Sequence, residues 1–365
     1  MLSRPIFFAN KIEIPEGVEF KDCYKSALRE LFFVRHPRYK KLDEESQKHL
    51  DSFISRAEID DVYIYLPWRN LVIRTVGERW YLELRTARNR NLISSTEQEQ
   101  YRNFKVGIIG LSIGSGALNS LVRTGGPKTI KIADHDDLEI TNLNRLNATI
   151  ADLGVNKSHV AMHNVYEVDP FADVYVYDKG VDEASLEDFV LGRPRIDCVI
   201  DALDNLRIKF LLRDICRANK IPLIMGTDIG DNVILDIERH DLDCNYPAFH
   251  GAMGEMTAEV LRYVPYKEWV KIATKIVDPN IMPASILNSI KDIGKSIAGV
   301  PQLGSTVAIT GALTSQAVRM IACGQNLKSG RYILKTEDLL NEDLRSAIAL
   351  SGLRMLRDDV LRIIT

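Results

Sequence analysis

Short runs that are apolar at nearly every position recur along the middle of the chain, at residues 106–109, 130–133, 174–177, 198–202 and 223–225, and stretches with helical spacing separate them. Continuous rather than alternating apolar runs belong to strands buried on both faces, and the helical stretches between them are the crossovers that parallel strands need. The pattern predicts an α/β fold, a Rossmann-like and mostly parallel sheet flanked by helices. Ahead of it the rhythm differs. Helical periodicity over 21–35 and 43–57 leads into strand candidates at 62–66, 71–74 and 80–84, which read as a small N-terminal α+β module ending in a hairpin or meander. After Asp231 the alternation fades into a strand at 233–238, a helix over 284–298, a longer apolar helix over 303–323 and an amphipathic helical tail over 337–364. On the tail, Leu344, Ile348, Leu353, Leu356, Val360 and Ile364 fall three to five residues apart. The expected division is a module at 1–84, serving recognition or dimer support, a nucleotide-binding domain at 85–330 and a helical tail at 331–365.

Composition narrows the function classes. With 47 Lys and Arg against 50 Asp and Glu, the formal charge of −3 gives no whole-chain attraction to nucleic acid or an acidic membrane. No stretch approaches the roughly 20 apolar residues that span a bilayer. Cys23, Cys198, Cys216, Cys244 and Cys323 are scattered, odd in number and free of C-x-x-C spacing, which argues for a reducing cytoplasm and against a structural zinc site.

The chemistry gathers where strands end. The first turn, Gly110-Leu111-Ser112-Ile113-Gly114-Ser115-Gly116, departs from G-x-G-x-x-G at Ser112 and Ser115, although its small residues still allow a phosphate to approach the backbone. Asp134, 24 residues after Gly110 and at the end of the next strand, stands at the separation of a ribose-binding carboxylate. Arg145 and Lys157 follow, then Asp204 just beyond the fourth strand. Hydride transfer has no use for an added cation pair and carboxylate, whereas ATP with a divalent metal uses all three. Surface charge is the plain alternative for Arg145 and Lys157, and a helix cap for Asp204.

In order, these residues resemble the ThiF/MoeB-type adenylating enzymes, relatives of the ubiquitin-activating enzymes. The resemblance covers roughly residues 85–325: the Gly110 turn, Asp134-x-Asp136, Asn142-Leu143-Asn144-Arg145, Gly154 with Lys157, Asp201-x-x-Asp204-Asn205, and the helix entered through Pro301-Gln302-Leu303-Gly304. It implies ATP-dependent adenylation of a carboxylate with release of pyrophosphate. ATP would be bound by Gly110, Ser112, Gly114, Asp134, Asp136, Asn142, Arg145, Lys157 and Asn205, and Mg²⁺ by Asp204. Asp204, Arg145, Lys157 and an arginine finger carry the chemistry. The segment 85–91 resembles the family's R-x-x-R, which reaches the partner subunit of a homodimer, so Arg88, or Arg90 in a shifted register, would be that finger. The implied partner is a small ubiquitin-like or sulfur-carrier protein, or a peptide, presenting its carboxylate. A dehydratase branch that acts on tRNA is also open.

The chain lacks the paired C-x-x-C of zinc-bearing members, so no zinc is expected. For a thioester step Cys244 is the cysteine in a plausible loop, with His250 nearby. Tyr63, Tyr65, Trp68, Trp80 and Tyr81 suit either a recognition surface or a core. A nicotinamide or flavin oxidoreductase and a non-catalytic nucleotide-binding scaffold are the competing readings.

Overall fold

The structure, a computed structural model, describes residues 3–9, 14, 16–39, 43–56, 58–340 and 347–364. The first part of the chain folds as a mixed sheet of β1 (Ile6–Phe8), β2 (Glu19–Asp22), β3 (Asp61–Leu66) and β4 (Leu71–Val76), in the order β1-β3-β4-β2. β3 and β4 form an antiparallel hairpin, and β2 lies parallel to β4. Helix α1 (Tyr24–Arg35) packs on β4, and α2 (Glu44–Arg56) packs on α1.

Residues 80–84, expected as a strand, are helical: α3 spans Glu78–Arg85. Trp80, Tyr81 and Leu84 lie three and four positions apart and pack on one side, against Val76, Ala27 and Leu28. That spacing outweighs the β preference of the aromatic rings. The aromatics of this region are structural. Trp68 stacks on His163 at 4.3 Å and donates to Glu167, Trp80 donates to Asp60, and the Tyr81 hydroxyl donates to the Val168 carbonyl. Tyr63 is buried and Tyr65 half-buried, so the rings join the module to itself and to the main domain.

After α4 (Ser95–Asn103), entered through a Ser94/Glu97 capping box, the main sheet begins. It contains β5 (Val106–Ile109), β6 (Thr129–Ala133), β7 (Asp173–Tyr177), β8 (Cys198–Asp201), β9 (Leu223–Ile229), β10 (Asn232–Glu238) and β11 (Gly330–Leu334), in the order β11-β10-β9-β8-β5-β6-β7. β5 to β9 are parallel, while β10 and β11 run antiparallel at one edge. Residues 330–334 therefore extend the sheet, where the sequence had suggested a wholly helical tail. The strand order reverses between β5 and β8, and such a switch point opens a crevice beyond the carboxyl ends of the strands.

Two apolar layers sandwich the sheet. On one face α4, α5 (Gly114–Arg123), α6 (Lys157–Val168) and α11 (Gly304–Ala322) build a core around Ile108, Leu121, Ile132 and Val318. On the other, α7 (Leu186–Leu191), α8 (Leu206–Ala218) and α9 (Tyr266–Val277) enclose Phe189, Leu212 and Leu223. Helices α5 and α11 cross without side chains between them, since a Cβ on Gly311 would lie 2.3 Å from the Gly116 carbonyl carbon. Gly116, the last glycine of the turn motif, thus serves helix packing. Helix α10 (Ala284–Asp292) stops short of the expected 298. The tail is α12 (Thr336–Leu340) and α13 (Ala347–Ile364), with Leu344 outside the described residues.

Candidate nucleotide site

At the switch point the chain leaves β5 through Gly110, whose φ is +89°, and a Cβ there would lie 2.2 Å from the Ala202 carbonyl oxygen. Both facts demand glycine, because the turn after β5 and the loop after β8 cross in backbone contact. Asp134 ties this turn to the loop after β6. It is buried, and its two oxygens accept from Leu111 N at 2.7 Å and Asp136 N at 3.0 Å. Each carboxylate oxygen retains a further acceptor site, so a ribose hydroxyl is still accommodated. Gly114 is the first residue of α5, whose early amides have no partner within the helix and suit an anion.

Ser112 earns its place beside Arg145. Arg145 Nε donates to Ser112 Oγ at 3.1 Å, while its Nη1 donates to the Thr141 carbonyl at 3.0 Å and to Asn144 Oδ1 at 2.9 Å. All three partners are neutral. Burial lowers the proton affinity of Arg145, and the nearby Asp228 and Asp204 oppose that effect. Asn142 is buried and its Oδ1 accepts from Glu139 N at 3.0 Å, so it shapes the loop from within. Asn144 donates to the Gln302 carbonyl at 2.9 Å, which brings the Arg145 segment against the start of α11.

Lys157, the first residue of α6, is buried with Nζ 2.8 Å from Asp136 Oδ2. Hydrogen bonding to Lys157 holds the Asp136 carboxyl below its usual range. His135 Nε2 approaches the other Asp136 oxygen at 3.3 Å. Ligand-type atoms of Asp134, His135 and Asp136 lie within 4.8 Å of one another.

Asn205 caps α8, its Oδ1 accepting from Ile208 N at 3.1 Å, which leaves Asp204 free of that duty. Asp204 is solvent-exposed at the mouth of the crevice. Its carboxyl is pushed above the usual range, first by desolvation against the crevice wall and then by Asp201, Asp134 and Asp136, with Lys209 opposing. The loop bearing it is anchored from below. Asp201 accepts from Leu203 N and pairs with Lys209 at 2.9 Å and Arg213 at 2.8 Å. Arg213 is fully buried, pairs also with Glu238 at 2.8 Å, and lies 3.6 Å from the centre of the Phe249 ring.

The arginines of the 85–91 segment separate cleanly. Arg85 is bonded to Asp169 and the Val122 carbonyl, and Arg90 to Glu83 and the Val34 carbonyl. Arg88 is exposed, and among the described residues it forms no hydrogen bond or ion pair. Its segment rests on the C-terminal end of α5, where Asn89 donates to the Thr124 carbonyl at 2.9 Å.

Cys244 is an exposed free thiol. His250 is fixed between the Tyr246 hydroxyl and Asp236, at 2.9 Å each. Sequence reasoning passed over Asp228, Lys209, Arg213 and Glu238. An acid at the end of the otherwise apolar β9 run was the available signal for Asp228.

Comparison with known proteins bears on the same region. The model of the ThiF family matches residues 86–346. A protein of Mycobacterium tuberculosis named uncharacterized protein MT1398 is 34% identical over 269 residues, which are 74% of this chain and 37% of that protein, so the chain spans little more than a third of its length. The tRNA threonylcarbamoyladenosine dehydratase of Bacillus subtilis is 29% identical over 224 residues, 59% of this chain and 82% of that enzyme. The crystal structure of PaaA shares the fold, with a TM-score of 0.51 and 19% identity over 71% of this chain and 77% of that one. The family match covers well over half of the residues, including every element of the crevice, and the chain belongs to the ThiF family.

Proposed function

We propose that the enzyme adenylates the carboxylate at the end of a small ubiquitin-like protein, a sulfur carrier or a peptide. The observation that carries this reading is the meeting of Arg145, Lys157, Asp134 and Asp204 at one strand switch point. A carboxylate is already ionised at pH 7 and is an adequate nucleophile, so the reaction needs little acid or base help. One of its oxygens attacks the α-phosphorus of ATP, the bond to the bridging oxygen breaks, and pyrophosphate leaves with that electron pair. What the protein supplies is alignment and charge stabilisation.

In this reading Asp134 receives the ribose, the α5 amides beyond Gly110, Ser112 and Gly114 receive phosphate oxygens, and Arg145 and Lys157 offset their charge. Lys157 exchanges Asp136 for the nucleotide. Asn142 and Asn205 act through the loops they fix. Desolvation and then the neighbouring acids raise Asp204, a cost that a hard divalent cation relieves, and the oxygen donors of Asp204 fit Mg²⁺, which would neutralise phosphate charge. Arg88, on an otherwise saturated segment, completes the site of a second subunit in a homodimer. A cytoplasmic location suits five free thiols. No described helix is long and apolar enough to cross a membrane.

A second reading, activation of a carboxylate carried on tRNA, is favoured by the match to the B. subtilis dehydratase over most of that enzyme's length. Radiolabelled pyrophosphate exchange into ATP separates the two. A ubiquitin-like protein or its C-terminal peptide supports exchange under the first reading, and carboxylate-bearing tRNA supports it under the second. Absence of exchange with either class, in the presence of Mg²⁺ and ATP, sinks both.

A further inference from the structure

Strand β9 outruns its neighbour. Ile200 pairs with Ile224, so β8 ends at Asp201 level with Met225, and β9 continues to Ile229. That extension, roughly 13 Å at 3.3 Å per residue, carries β9 beyond the carboxyl end of β8. Asp228 sits on it, facing α11. Thr310 Oγ1 donates to Asp228 Oδ1 at 2.7 Å, and Gly226, two residues earlier on the same face, also abuts Thr310. Asp228 is only 7% exposed, and its other oxygen, Oδ2, is buried without a hydrogen-bond partner among the described residues. An orphaned buried acceptor is costly, and one that persists beside a ligand crevice calls for a reason.

The reason lies in Arg145. Burial pushes the Asp228 carboxyl up, while the Thr310 hydrogen bond and then the Arg145 charge oppose that rise, and Asp228 is in turn the foremost acid acting on Arg145. No hydrogen bond joins them, because the guanidinium is held by Ser112, Thr141 and Asn144 instead. The start of α11 links them, since a Cβ on Gly304 would lie 3.6 Å from Arg145 Cα and Thr310 on the same helix donates to Asp228; the carboxylate so placed partly cancels the field of the arginine without capturing it. We propose that Asp228 is a positioning residue that opposes the phosphates for Arg145. It keeps the arginine's hold on the triphosphate, and on the departing pyrophosphate, weaker than an unopposed guanidinium would exert. This rests on the assignment of Arg145 to the phosphates made above.

The test is a binding cycle by titration calorimetry. Asp228→Asn retains an oxygen for the Thr310 hydroxyl and removes the charge. ATP and pyrophosphate then bind about five- to tenfold more tightly, ADP gains less and AMP least. In an Arg145→Gln background the same substitution changes nothing. A merely structural carboxylate gives the opposite sign, since its loss loosens the site. Unchanged or weaker ATP binding in Asp228→Asn therefore overturns the proposal, as does tightening that survives in Arg145→Gln. Asp228→Ser, a smaller neutral replacement, is measured beside it and is held to the same outcomes should the Asn variant fold poorly. If wild-type protein binds no ATP, the underlying assignment of Arg145 falls instead, and that result appears before any variant is made.

Discussion

At position 110 the absence of a side chain decides whether the crevice exists. Gly110→Ala places a methyl 2.2 Å from the Ala202 carbonyl at a φ of +89°, so the crossing loops must part. We expect ATP affinity to fall by at least about tenfold, with a lowered melting midpoint. Gly154→Ala is the matched control: its φ is +77°, yet nothing lies within 4 Å of the added carbon. It should cost only the backbone strain, about 1 kcal/mol, and leave ATP binding intact. Calorimetry of both variants checks the contrast, and equal losses of ATP binding refute it. Gly110 and Asp134 were legible in the sequence because their signals are local, a turn and a strand end a fixed distance apart. Ser112 was named only as part of the turn that the resemblance implies; its hydrogen bond to Arg145, 33 residues later, was not legible, because in a glycine motif the serine looks like a defect. Nor was the division of labour between Asp204 and Asn205, where either residue could have capped α8.

Among elements, the loop from β8 to α8 holds the candidate metal ligand, and its position depends on charges buried beneath it. Arg213 bridges Asp201 and Glu238 with all three side chains fully buried. Arg213→Met fills similar space and leaves two buried carboxylates short of a cation, so we expect a loss of about 3–5 kcal/mol in chemical denaturation. ATP binding should weaken as well, as the Asp204 loop loosens. Unchanged denaturation would refute this account.

Acid titrates the same cluster. Burial pushes Glu238 up, but the Arg213 charge and the His240 and Arg213 hydrogen bonds outweigh it and hold the carboxyl at about 2. A depressed carboxylate stabilises the fold above its unfolded pKa of about 4.3 and loses that contribution as pH falls through the folded value. Unfolding free energy should therefore decline between about pH 4.3 and 2, and decline less steeply in Glu238→Gln; parallel curves for the two proteins would count against it. Elements of this kind were partly legible. The buried parallel strands announce themselves through unbroken apolar runs, whereas α3 was hidden by aromatic residues that favour strands. β11 was hidden by its brevity, because the run from Arg331 to Leu334 becomes a strand only by pairing with β10.

For the molecule as a whole, the position of Arg88 decides how many chains make one active site. Its segment rests against Thr124 at the C-terminal end of α5, while the nucleotide turn lies at the N-terminal end. The 10 residues of α5 separate the two by about 15 Å at 1.5 Å per residue, beyond the reach of an arginine side chain. Leu92, just beyond this segment, and Ile140 and Ile150, in the loop after β6, are 82%, 72% and 79% exposed. A partner subunit would cover such large apolar side chains. Arg88→Ala should lose pyrophosphate exchange by about a hundredfold or more with its melting midpoint unchanged, because Arg88 has no hydrogen-bond or ion-pair partner among the described residues. Asp204→Ala should be inactive for a different reason, through the loss of the proposed metal ligand. If the finger acts in trans, unfolding and refolding the two inactive proteins together regenerates one intact site in each mixed dimer. Random pairing of equal amounts makes half of the dimers mixed, each with one working site of two, so about a quarter of wild-type activity returns in a symmetric dimer. A finger that served its own chain would give no recovery at all, since every chain would still carry one lesion in its own site.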